Sequence, residues 1–74
     1  MQVIVKLFAS LQKDRFDTEE FELADGTRIR HILEMTGIPE SEAALIFVNN
    51  RHADLDTVLN DGDTLAFFPP IGGG

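Results

Sequence analysis

From Met1 to Ala9 apolar and polar positions alternate: Val3, Val5, Leu7 and Ala9 fall on one side, and Gln2, Ile4, Lys6 and Phe8 on the other. A period of two over this length predicts a β-strand. Phe16 to Leu23 predicts a second, weaker strand, with Phe21 and Leu23 on one face and acids between them. The intervening Ser10 to Arg15 is polar and suits a hairpin loop. The period then changes. Asp25-Gly26-Thr27 forms a turn, and the Thr27 hydroxyl is placed to accept a backbone N–H from a first helical turn. Ile29, Ile32, Leu33 and Thr36 recur at helical spacing and predict a helix over Arg28 to Thr36, with Arg30 and Glu34 on its outer face. Gly37 is suited to end it in the left-handed conformation, and Pro39 blocks continuation.

Beyond the helix, acidic Glu40 to Ala44 suits a short helical turn, and the apolar run Leu45 to Asn49 a buried strand. Asn49-Asn50-Arg51 can reverse the chain, because Asn tolerates positive φ. His52 to Leu55 predicts a short edge strand guarded by Asp54, Asn60-Asp61-Gly62-Asp63 a tight turn, and Thr64 to Phe68 a closing strand. The order strand, strand, helix, strand, short strand, strand predicts an α+β domain, with one main helix across one face of a mixed sheet of four to five strands. A right-handed crossover makes the first and last strands central, parallel neighbours. With Val3, Val5, Leu7, Ile46, Val48, Leu65 and Phe67 inward, Phe8, Phe47 and Phe68 fall together on the face opposite the helix. An apolar patch of that kind marks a partner site.

Composition narrows the function. A chain of 74 residues makes one domain with a single modest core. With no cysteine it has no disulfide, thiolate metal site or cysteine nucleophile, in keeping with a reducing cytoplasm. The N-terminal stretch is too short and too alternating for a signal peptide, and no apolar run is long enough to cross a bilayer. Thirteen acids against six bases give a net charge of −7. That charge repels nucleic acid and anionic membranes, and attracts a basic protein surface or simply keeps the domain in solution. His31 and His52 lack ligand-spaced or nucleophilic companions and read as structural. Asp54, Asp56, Asp61 and Asp63 lack calcium-loop spacing and read as turn formers and solvated charge; Asp61 and Asp63 are also placed to meet a basic rim on a partner. No metal site is expected, and no serine or threonine has a nucleophile context.

The chain ends Ala66-Phe67-Phe68-Pro69-Pro70-Ile71-Gly72-Gly73-Gly74. The division expected is a domain over 1–68 and a flexible tail over 69–74. Pro69 and Pro70 lack N–H groups, so the sheet stops there and the exit is stiffened. Gly73 and Gly74 carry no side chains, so the backbone can enter a narrow channel. Extended, the tail spans roughly 20 Å.

This ending, together with Asp25-Gly26-Thr27 before the helix and Asn60-Asp61-Gly62-Asp63 before the last strand, resembles the MoaD/ThiS-type family of sulfur carriers. Within that family it is most similar to the small subunit of molybdopterin synthase, whose tail runs Phe-Pro-Pro, two variable residues, Gly-Gly. Here Ile71-Gly72 is the variable pair, and Asn49-Asn50 departs from a more usual Asn-Gly turn. The resemblance implies a β-grasp, ubiquitin-like fold and a carrier that is not an enzyme on its own. It implies that the Gly74 carboxylate is adenylated with ATP by a ubiquitin-activating-type partner, then converted to a thiocarboxylate by a sulfur donor. A carboxylate is a poor acyl electrophile, and adenylation supplies the leaving group. The chain has no phosphate-binding loop of its own, so ATP belongs to the partner and no cofactor is expected to stay bound. The implied acceptor complex includes a molybdopterin synthase large subunit, in molybdenum cofactor biosynthesis in the cytoplasm, with the free carrier a monomer. Phe8, Phe47, Phe68, Pro69, Pro70, Ile71, Gly72 and Gly73 are the expected partner-binding residues. Other readings are a carrier for a thiamine, cysteine or tungsten pathway, a protein modifier, and a passive β-grasp interaction module.

Overall fold

The computed structural model describes residues 1–70. Its strands are β1 (Gln2–Leu7), β2 (Thr18–Glu22), β3 (Leu45–Val48), β4 (Arg51–His52) and β5 (Thr64–Phe68), with one α-helix, α1 (Ile29–Thr36). They form a single sheet in the order β2-β1-β5-β3-β4. β1 and β5 are central and parallel, Val5 opposite Leu65 and Leu7 opposite Phe67. The other pairings are antiparallel. This is the β-grasp arrangement expected from the sequence.

The period-two pattern works as predicted where it is strongest. Val3, Val5, Leu7, Leu65 and Phe67 are almost fully buried and pack in one core with Ile29, Ile32 and Leu33 of α1. Gly37 ends the helix at φ +73, with its N–H donating to the carbonyls of Glu34 and Leu33. Asn49 and Asn50 both take positive φ, and Gly62 turns the chain into β5 at φ +85.

Several expectations are corrected. β1 stops at Leu7; Ala9, at φ +53, turns the chain away and is exposed rather than inward. Ser10 to Arg15 is no simple loop: Ala9–Gln12 is a 3-10 turn that buries Leu11 completely. β2 begins at Thr18, so Phe16 lies outside it, tilted against Phe21 at 5.8 Å. β4 is only Arg51–His52, not His52 to Leu55. The helix turn after Pro39 is limited to Glu40–Glu42.

The helix start also differs. Thr27 does not cap α1, because its hydroxyl donates to the Ala24 carbonyl at 2.7 Å. The N-cap is Arg28, whose N–H donates to His31 Nδ1 at 2.9 Å. The first helical N–H groups are satisfied instead by a distant segment: Ile29 donates to the Thr57 carbonyl at 3.1 Å and Arg30 to the Leu55 carbonyl at 3.0 Å. Tertiary carbonyls thus supply what a capping hydroxyl supplies elsewhere. Leu59, which donates to the Thr27 carbonyl at 2.9 Å, is buried beside them. Arg30 pairs with Asp56 at 2.8 Å and with Glu40 at 3.6 Å, rather than with Glu34. The Asp56 hydrogen bond, then its charge, holds the Arg30 guanidinium above its ordinary range.

Asp63 is not solvated charge. It is buried, accepting from Asn49 Nδ2 and from the Asn60 N–H, both at 2.8 Å. Asn49 in turn accepts from the Thr64 N–H at 2.9 Å. This knot ties the β3–β4 turn to the start of β5 and leaves Asp63 no part in a partner's basic rim. Asp61 accepts from the Gln2 N–H at 2.7 Å, and Asp54 from the Asp56 N–H at 2.9 Å, as turn-forming acids do.

Candidate functional site

The face of the sheet away from α1 is built by three strand ends. Phe8 directly follows β1 and is still extended, at φ −122 and ψ 151, with its N–H donating to the Phe67 carbonyl at 3.2 Å. It therefore keeps the outward phase of Ile4 and Lys6 before Ala9 turns the chain. Phe68 is the last residue of β5, and Phe47 lies in β3 next to it. The rings of Phe8 and Phe68 stack at 4.3 Å and 10°. Phe47 meets Phe68 edge-on at 5.7 Å and 88°, and lies 4.5 Å from His52. Such pairs contribute about 0.5–1.5 kcal/mol each beyond burial. All three phenylalanines are half-buried, so part of each ring is available for contact.

The structure thus brings together the predicted aromatic residues. Lys6, Asn49, Asn50, Thr64 and Ala66 join them around an open hollow of about 570 Å³. The alternation placed Lys6 on this face, but its tie to the hollow depends on strand order, which no local pattern contains. The Asn49 side chain owes its position to the buried Asp63, an equally non-local cause.

The exit from β5 adjoins the aromatic cluster. Pro69 is half-buried and Pro70 exposed immediately after Phe68. The other expected tail residues, Ile71, Gly72, Gly73 and Gly74, lie outside the described residues. His31 and His52 are both exposed, one at the helix cap and one against Phe47. Among the described residues no three potential metal ligands cluster, and no helix is long and apolar enough to cross a membrane. What the arrangement offers is a half-buried aromatic surface around an open hollow, next to the exit from β5.

Comparison with known proteins decides the family. The ThiS family model matches residues 5–74. The chain belongs to the ThiS family, whose members are ubiquitin-like sulfur carriers. A Pyrococcus furiosus protein assigned as molybdopterin converting factor subunit 1 is 31% identical, covers 96% of this chain and 99% of its own, and superposes with a TM-score of 0.75. The structure of subunits 1 and 2 of molybdopterin-converting factor from Helicobacter pylori, a protein–protein complex, gives 27% identity, full coverage of both chains and a TM-score of 0.68. Small archaeal modifier protein 1 of Haloferax volcanii is alike in fold, with a TM-score of 0.77 at 21% identity over 95% of this chain and 98% of its own. No curated protein matches the chain.

Proposed function

We propose that this ThiS-family carrier receives sulfur at the Gly74 carboxylate and delivers it as the small subunit of a molybdopterin synthase-like complex. The observation that carries this reading is the run Phe68-Pro69-Pro70-Ile71-Gly72-Gly73-Gly74, which follows in sequence the central strand β5, whose last residue Phe68 belongs to the half-buried aromatic face. The likeness to molybdopterin converting factor subunit 1 at 31% identity supports the pathway, and the Helicobacter pylori complex supports a second subunit as partner.

The chemistry runs in two steps. The Gly74 carboxylate attacks the α-phosphate of ATP held by an adenylating partner, and pyrophosphate leaves. A sulfide-level nucleophile then adds to the acyl carbon of the adenylate and AMP departs, leaving one sulfur in place of one oxygen. This chain's residues bind and position. Phe8, Phe47 and Phe68 supply contact area, Pro69 and Pro70 direct the exit, and Ile71, Gly72 and Gly73 pass through the partner's channel. Ordering a glycine-rich segment costs entropy, so the affinity comes from the folded face.

Pyrophosphate exchange catalysed by the adenylating partner tests the first step. The native chain should support ATP-dependent exchange. A chain with one residue added after Gly74 should bind the partner and support none. Equal exchange by both would overturn Gly74 as the acceptor.

A further inference from the structure

Among the described residues, Lys6 is the one charged residue lining the aromatic hollow, opposite Ala66 in the β1–β5 register and exposed. It makes no ion pair among the described residues, where both recorded ion pairs belong to Arg30. A partner that covers Phe8 and Phe68 must therefore also cover Lys6 or stop short of it. Burying an ammonium without a counter-charge costs several kcal/mol, enough to cancel the apolar gain of a ring. The net charge of −7 disfavours a second copy of this chain as the cover, since both surfaces would carry the same sign.

We infer that the surface docking on this face is an apolar protein patch that presents a carboxylate to Lys6. The inference rests on the reading of the aromatic face as the docking site. Phe8, Phe47 and Phe68 give the partner area, and the ion pair at Lys6 fixes how it is turned on the sheet. The pair is specificity-determining: an apolar patch without the acid leaves a buried charge unmatched.

The test measures dissociation constants against the purified large subunit of the molybdopterin synthase from the same cells. The native chain, Lys6→Met, Lys6→Glu and Phe68→Asp are compared by calorimetry, each first checked for a native thermal transition. The expected result is a loss of at least roughly thirtyfold for Lys6→Glu, from removing a desolvated pair and leaving the partner's acid unmatched. Lys6→Met should weaken binding less than Lys6→Glu, and a partner variant with its facing acid changed to Lys should rescue Lys6→Glu. Native affinity in both Lys6 variants, with Phe68→Asp impaired, overturns the inference and leaves the docking face standing. Native affinity in Phe68→Asp overturns the docking face itself and the inference with it. Self-association of the chain through this face, in place of large-subunit binding, overturns both.

Discussion

Asp63 carries a carboxylate into the space between the β3–β4 turn and β5, where two donors meet it at 2.8 Å. Removing it strands the Asn49 amide and the Asn60 N–H, so Asp63→Ala should lower unfolding free energy by about 2–3 kcal/mol in a denaturant titration. Asp63→Asn, which keeps one acceptor oxygen, should cost less. At the aromatic face the expectation differs in kind. Phe8 is half-buried against one stacked neighbour, so Phe8→Ala should cost roughly 2 kcal/mol of partner affinity. Titration calorimetry against the large subunit would measure it, and unchanged affinity would remove Phe8 from the interface. The outward phase of these rings was legible in the sequence because Val3, Val5 and Leu7 leave one phase open to their neighbours. The burial of Asp63 was not, because an acid in an Asn-Asp-Gly-Asp turn reads the same in water until its partner from β3 is known.

Among the elements, strands with strong alternation and a helix with a full apolar stripe were legible at nearly their observed bounds. Thr64–Phe68 is the clearest case, since the turn chemistry of Gly62 fixes its start and Pro69 its end. The Ala9–Gln12 turn was hidden because one leucine among polar residues has no period. Its Leu11 is nonetheless fully buried in the core. Leu11→Ala should therefore cost about 2–5 kcal/mol by thermal or denaturant unfolding, as for other buried leucines. A loss under about 0.5 kcal/mol, the range of surface substitutions, would show that the turn is peripheral. Thr27 misled for the opposite reason: it has good capping chemistry, but backbone carbonyls of Leu55 and Thr57 reach the helix first. Thr27→Ala should accordingly cost less than the roughly 1 kcal/mol typical of a true cap.

Over the whole molecule, a small core holds a five-stranded sheet whose central strand ends at the aromatic face and leads into the tail. On the proposed reading, docking and chemistry are separated: the aromatic face would supply affinity, and Gly74 would supply the reacting group. The charge of −7 adds a long-range effect. Association with a partner of net positive charge should slow as salt rises from about 0.05 to 0.5 M, because the screening length shortens. Stopped-flow measurement would show this, and a salt-independent rate would assign the acidity to solubility alone. The most direct test of the carrier account is intact mass spectrometry of the protein after incubation with its adenylating partner, ATP and a sulfur donor. The account predicts a mass gain equal to one oxygen replaced by sulfur, localised by fragmentation to Gly74. An unchanged mass, with a partner proven active on another carrier, would contradict it.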